Sequence, residues 1–346
     1  MQNYCYPNYI KEYNIYDIFF NDNETLVIIM PMESPFHKIQ YVNNEEFIDF
    51  EYCVCPHNHT YIYTLQTEYK RDIILKIEDT TLNTFANKYQ EFKNEIIFST
   101  IVKNEDNYII QWIEFHKQIG VSRFIIYDNS DKNTLGELLN DYIQRNIVLL
   151  IKWEYTYKLP KSGFSAQTTQ QNHSNYAFQN SYLIGFFDID EYINIQTNVN
   201  TNLHHFFENM IKEQNININD ISAFRVSTKL FFNPNNMPTD GYNFLKIFNC
   251  DSISLYEREK NFAIPKNTKI VSVHAILLSL NRYNIEPTKM YFNHYFFLNK
   301  NDRGRCETTL IDSTILDNVD ISSFPELNHL EMGHSDKFSC YIPKEN

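Results

Sequence analysis

Three carboxylates fall within four positions at Asp188-Ile-Asp190-Glu191, directly after the apolar run Tyr182-Leu-Ile-Gly-Phe-Phe187. A run of this kind reads as a buried strand carrying acids at its C-terminal tip. Alternation along a strand puts Asp188 and Asp190 on one side, with Ile189 turned away. Carboxylates so placed repel one another unless a cation sits between them. Their oxygens suit Mg²⁺ or Mn²⁺, which bridge to the phosphates of a substrate. The same residues also fit a strand end followed by a solvated acidic turn, so their company decides.

That company lies at two other strand ends. Ile96–Val102 reads as a strand ending in Lys103-Asn104-Glu105, and Arg123–Asp128 as one ending in Asp128-Asn129-Ser130-Asp131. Between them the spacing predicts a helix capped by Asn104, with Glu105 and Asp106 in its first turn. Ile109, Trp112, Ile113, His116 and Ile119 lie on one of its faces, and Gly120 closes it. A second helix over Thr134–Arg145, a strand over Ile147–Trp153 and a third helix over Ser165–Asn180 lead back to the acidic strand. The alternation predicts an α/β domain, a mostly parallel sheet with helices on both faces, over residues 95–310. Ligands of such sheets bind beyond the carboxyl ends of the strands, where all three polar clusters fall.

Residues 1–94 read differently. Leu26–Met30, Phe47–Val54, Tyr61–Leu65 and Asp72–Ile77 are short β-like runs separated by Asn, Pro and Asp, which predicts a β-rich accessory region. Thr84–Phe92 reads as a linking helix. Residues 311–346 are expected to pack on the catalytic domain as an extension. Cys53-Val-Cys55 with His57 and His59 lacks the spacing and the second pair of a zinc site, and fits strand cysteines better.

The chain is acidic, with 43 acidic against 30 basic residues and a net charge of −13. That field repels nucleic acid and anionic membranes, and a phosphate-bearing ligand needs a metal to offset it. The six cysteines follow no framework, which predicts a reducing compartment. No signal peptide or membrane span is expected. The sequons at Asn23, Asn58 and Asn172 are expected to be incidental.

The segment Ile101-Val-Lys-Asn-Glu…Trp112-Ile-Glu-Phe-His116…Gly120, followed by Tyr127-Asp-Asn-Ser-Asp131, resembles glycosyltransferase family 92 and its family 2-like relatives. Gln170-Gln-Asn-His173, Phe187-Asp-Ile-Asp-Glu-Tyr192 and Asn293-His294-Tyr295 continue the likeness across roughly residues 96–305. The resemblance implies a GT-A fold, a nucleotide-sugar donor, usually UDP-linked, and a divalent metal, Mn²⁺ or Mg²⁺, on the Asp-x-Asp. The likeness breaks after His294-Tyr, where the family often carries a Lys that touches phosphate. Lys300 or Arg303 is the expected substitute.

The roles follow from these readings. Asp190, and less directly Asp188, hold the metal, with His294 as third ligand and His274 as its competitor. Glu191 binds sugar or caps the turn. Lys103, Asn104, Glu105, Asp128 and Asn129 face the nucleotide, and Gln170 and His173 line the donor pocket. An inverting transfer needs a base for the acceptor hydroxyl. Asp240, in its Pro-x-Asp-Gly turn, is the first candidate, ahead of Asp251 and Glu257. The expected activity is transfer of a galactose-like sugar from a UDP donor to a glycan or other hydroxyl acceptor. A non-catalytic sugar-nucleotide or glycan-binding module on the same scaffold is the alternative. A two-carboxylate hydrolase is disfavoured, because acids on one strand sit too close to flank a glycosidic bond.

Overall fold

The computed structural model describes residues 4–325 apart from 22, 32–33, 56–59, 105, 158–164, 197–201, 234, 236, 252–257, 278–279, 296–297 and 299–309. The N-terminal region forms two sheets from Asp17–Phe20 (β1), Thr25–Pro31 (β2), Ile39–Asn43 (β3), Glu46–Asp49 (β4), Glu51–Cys55 (β5), Thr60–Gln66 (β6), Asp72–Ile77 (β7), Thr80–Phe85 (β8) and Asn87–Lys88 (β9). One runs β5-β6-β2-β1-β9 and the other β4-β3-β7-β8. Strand alternation divides the apolar residues of β1 and β2 between two layers. Ile18, Phe20, Leu26, Ile28 and Met30 pack with Tyr41, Ile73 and Leu75 of the second sheet. Phe19, Val27 and Ile29 face the rest of the chain and share its core.

The N-terminal region departs from its predicted elements at two places. The apolar run at 47–54 is not one strand: it breaks at Phe50 into β4 and β5, which belong to different sheets. Residues 84–92 are not helical either. The segment finishes β8 and then adds β9 beside β1, where Asn87 Nδ2 and the Tyr89 hydroxyl reach the buried carboxylate of Asp17.

The second half is built on Ile96–Val102 (β10), Ile109–Gln118 (α1), Arg123–Asp128 (β11), Thr134–Leu138 (α2), Asn140–Gln144 (α3), Val148–Lys152 (β12), Ser165–Ala177 (α4), Leu183–Gly185 (β13), Glu191–Ile195 (β14) and Leu203–Glu213 (α5). Every residue of β10 is buried, as a strand covered on both faces must be. Ile96, Phe98 and Val102 pack with Trp112 and Phe115 of α1 and Phe207 of α5. Ile97 and Ile101 pack with Ala166 and Ala177 of α4 and with Phe19 and Ile29 of the N-terminal sheet. Helices therefore cover both faces, as expected, and the N-terminal region adds a further layer behind α4.

The sheet is parallel only at one end, in the order β12-β11-β10-β13. Beyond β13 it is mixed, which corrects the expectation of a mostly parallel sheet. Ile221–Phe231 (β15), Asn249–Cys250 (β16), Lys260–Ala263 (β17), Ile270–Ser272 (β18), Ala275–Leu277 (β19), Asn281–Asn284 (β20), Met290–Tyr295 (β21) and Leu310–Ile311 (β22) follow. β17 runs antiparallel to both β13 and β15, while β21 is parallel to β15 and antiparallel to β14. The reason lies in the connections. Among the described residues α5 is the last α-helix, so the later strands lack crossover helices of the βαβ kind and turn back on their neighbours. No helix of the described residues is long and apolar enough to cross a membrane. Residues after β22 return to the sheet, with Asp312 on Lys229 and Phe324 stacked on Tyr242.

Candidate active site

Helix α1 fixes the acids through two aromatic side chains. The Trp112 indole donates to the Glu191 carbonyl at 3.0 Å. His116 Nδ1 lies 2.8 Å from the Trp112 carbonyl, and Nε2 lies 3.3 Å from the Ile193 amide. A neutral imidazole satisfies both, donating at Nδ1 and accepting at Nε2. Burial holds His116 in that form by pushing its pKa down to about 3. Gly185 is needed at the end of β13, since a Cβ there would come within 2.7 Å of the Phe98 ring.

The acids do not alternate on a strand. β13 stops at Gly185, the chain turns through residues 189–190, and β14 begins at Glu191. The Glu191 amide donates to the Asp188 carbonyl at 3.0 Å, and Glu191 Oε2 accepts from the Asp188 amide at 2.9 Å. This closed turn sends the two aspartates to different partners. Asp188 accepts from Gln167 Nε2 at 3.0 Å and Lys260 Nζ at 2.8 Å. Asp190 lies 3.4 Å from His294 Nε2. His294 is brought there by the β14–β21 register, which sets it opposite Glu191 with Glu191 Oε1 3.8 Å from its Nδ1. Asp190, Glu191 and His294 each offer one ligand atom within 4.8 Å of the others. Glu191, rather than Asp188, thus completes the group around His294.

The charges are strongly coupled. Burial raises the Glu191 carboxyl to about 7, with Asp188 and Asp190 adding to the effect and Lys260 and His294 opposing it. Burial alone would lower His294, but Asp190 beside it wins and lifts it above the ordinary imidazole range. For Asp188 burial is likewise outweighed, here by Lys260, and its pKa falls. Lys260, with 1% of its side chain exposed, sits 3.2 Å from Glu191 and stays charged because the acids outweigh its burial. Two carboxylates and an imidazole in this packing fit a divalent cation with oxygen and nitrogen donors. Metal binding there would require His294 to be neutral, so it would compete with protons for that ring.

Beside this turn, at the carboxyl ends of β10, β11 and β12, opens a cavity of about 930 Å³. It is lined by Lys103, Asn129, Ser130, Asp131 and residues 154–157. Gln167 joins the two places. Its Nε2 donates to Asp188, and its Oε1 accepts from the hydroxyl of Tyr157 in the cavity wall at 3.5 Å.

The structure distributes the other expected residues unevenly. Lys103 and Asn129 line the cavity, Lys103 with its Nζ 5.5 Å from the Tyr157 ring centre. Asn104 does not cap a helix, because α1 starts at Ile109. Its left-handed backbone (φ 55°) lets its side chain pair with both the amide and the carboxylate of Asp131. Asp128 is fully buried and accepts from Tyr4, the Ser130 amide and Lys152. It supports the loop from beneath and is not among the residues that line the cavity. Gln170 and His173 are buried, Gln170 on Ser99 of β10 and His173 between Tyr127 of β11 and Asp17 of β1. They do not line the cavity. His274 is exposed between β18 and β19, with Nδ1 on the Glu259 carbonyl, and is not in the ligand group. Asp240 is exposed in a loop that docks on α1 through Thr239 with Tyr108 and Gly241 with Gln111. Asp251 follows β16, its amide on the Leu230 carbonyl. Glu105, Glu257, Lys300, Arg303, His57 and His59 lie outside the described residues.

Sequence reasoning missed Lys260, Gln167, Tyr155 and Tyr157. Lys260 carried a signal, a cation close before the apolar run Phe262-Ala-Ile264, since lysine is almost never buried unpaired. The others carried none.

The chain matches the sequence profile of Glycosyltransferase family 92 over residues 96–330. A family 92 protein of Ricinus communis is 24% identical over 211 residues, 59% of this chain and 36% of that protein. One of Arabidopsis thaliana is 30% identical over 108 residues, 29% of this chain and 16% of that protein. The chain thus spans about a third or less of the length of these relatives. Among solved structures, S. aureus TarS 1–349 aligns at a TM-score of 0.34 and 12% identity, over 58% of this chain and 60% of that one.

Proposed function

From the premise that the chain belongs to glycosyltransferase family 92, we propose that it is a metal-dependent enzyme of the GT-A type. It moves a sugar, galactose-like, from a UDP donor to a hydroxyl acceptor such as a glycan, with inversion. The observation that supports this reading best is the junction at Gln167, which ties the acid turn to a nucleotide-sized cavity at the strand ends.

In this scheme Asp190, Glu191 and His294 hold Mn²⁺ or Mg²⁺. Held there, the cation would supply positive charge for the leaving diphosphate, the main electrostatic demand of the transfer. Lys103 and Asn129 orient the nucleotide in the cavity. Lys260 keeps Asp188 ionised and balances the acids when the metal leaves. Asp240, on the loop over α1, accepts the proton of the acceptor hydroxyl.

Thermal unfolding with UDP alone, Mn²⁺ alone and both tests the reading. Metal and UDP together should stabilise the wild type by more than the sum of their separate effects, and Asp190→Asn should abolish the excess. A wild type without that joint effect rules out metal-linked UDP binding.

A further inference from the structure

The family match begins at residue 96, yet two walls of the cavity are held by residues before it. The first wall is the loop after β11. The Tyr4 hydroxyl donates to Asp128 Oδ2 at 2.9 Å and accepts from the Gly136 amide at 3.1 Å. Asp128 passes the constraint on, its Oδ1 accepting from the Ser130 amide at 2.9 Å. Ser130 Oγ in turn accepts from the Asn104 amide at 2.9 Å, and Asn104 grips Asp131. The Tyr4 ring needs glycine at 136, where a Cβ would come within 2.6 Å of it. Cys5 anchors the segment by pairing its backbone with Leu150 and Lys152 on the edge of β12.

The second wall is Tyr155. Its ring stacks on Tyr16 with centroids 3.6 Å apart and planes 5° from parallel, and its hydroxyl donates to the Tyr16 carbonyl. Tyr9 packs edge-on against the same ring at 5.1 Å. Asn129 then joins the two walls, its Nδ2 donating to the carbonyls of Trp153 and Tyr155.

Loops at strand ends are mobile unless something fixes them, and a loop ordered in advance binds more tightly than one that must be ordered by its ligand. We propose that Tyr4, Tyr9 and Tyr16 are positioning residues for the nucleotide. They make the N-terminal region part of the donor site. The inference rests on reading the cavity as that site.

The test is calorimetric titration of UDP into the full chain with Mn²⁺ present. It compares wild type with Tyr4→Phe, Tyr9→Ala and Lys103→Ala, each checked for native circular dichroism. Tyr9 is 44% exposed, so its replacement leaves the fold intact should Tyr4→Phe not. The Kd for UDP should rise about 3- to 10-fold in each tyrosine variant. A tyrosine variant that melts earlier but binds UDP as wild type does has a structural role only. If both behave so while Lys103→Ala weakens binding, the inference fails and the cavity assignment stands. If Lys103→Ala is also unchanged, both fail.

Discussion

The indole N–H of Trp112 donates to the carbonyl oxygen of Glu191 at 3.0 Å, joining the middle of α1 to the first residue of β14. A helix that begins beyond one strand end thereby holds the acid turn beyond another. Trp112→Phe keeps an aromatic ring in the core but removes the only donor that ring position can offer. The buried carbonyl left behind and the lost volume should cost about 1–3 kcal/mol of stability. Because Glu191 carries one of the oxygens proposed to bind the metal, Mn²⁺ affinity should fall as well, by several fold in a direct metal titration. Unchanged Mn²⁺ affinity at reduced stability would show that the bond braces the fold without aiming the acid.

His116 gives stability a pH dependence of known sign. Its imidazole titrates near 6.5 in the unfolded chain and near 3 when folded, because burial disfavours the cation. Between those values the unfolded state binds more protons, so stability is fully present above about 6.5 and declines as pH falls toward 3. From pH 7.5 to pH 5 the loss should be about 2 kcal/mol from this residue. Replacing His116 with Gln should lower stability at pH 7.5 yet flatten the decline, as read from urea midpoints across the range. A variant with an undiminished slope would assign the acid sensitivity to other groups.

The core of this layout was legible in the sequence wherever local pattern and tertiary demand agree. β10, apolar but for Ser99 and Thr100, and β11, with Phe124–Tyr127 apolar, both lead into polar ends, and they sit where those runs predict. The acid turn was legible as chemistry and not as geometry. Phe186 to Asp188 carry apolar and acidic side chains in strand-like order, but the Asp188–Glu191 backbone and side-chain bonds close a turn that periodicity cannot show. His294 could be suspected only through its neighbours in the motif, since its approach to Asp190 depends on the β14–β21 register across about a hundred residues of chain. Asp128 and His173 look like ligands in sequence because polar residues at strand ends and on helices have the same letters whether they face a pocket or a buried tyrosine.

Lys260 balances Asp188 and Glu191 from a buried position, and its removal has two consequences of opposite sign. Lys260→Met leaves the buried Glu191 carboxylate and the partly exposed Asp188 carboxylate without their partner, which should cost about 3 kcal/mol, the low end of the range for a buried pair. It also removes the resident cation from the acid group, so added Mn²⁺ should raise the melting temperature of the variant by more than it raises that of the wild type. Adding Asp188→Asn should recover part of the lost stability, since the two side chains interact directly at 2.8 Å. An equal Mn²⁺ shift in wild type and variant would mean that Lys260 and the metal do not share the same acids.

The fully buried carboxylate of Asp17 joins the two halves of the chain. It accepts from the Asn8 amide at 2.6 Å, Asn87 Nδ2 at 2.9 Å and the Tyr89 hydroxyl at 2.5 Å. His173 of α4 meets it at 2.9 Å through Nε2, while its Nδ1 meets the Tyr127 hydroxyl at 2.7 Å. Burial first, and the Asp17 charge after it, keep Tyr89 protonated by raising its pKa well above the ordinary phenol range. Asp17→Asn is close in shape but sets an amide N–H₂ against donors and removes the charge they were arranged around. Hydrogen bonds to a charged acceptor are worth about 1.5–3 kcal/mol each, so a loss of at least about 3 kcal/mol is expected. Because Asp17 sits on β1 and His173 on α4, that loss should fall on the whole chain as one cooperative transition. A variant that melts in two steps, with the N-terminal region unfolding first, would show that the halves are stable apart.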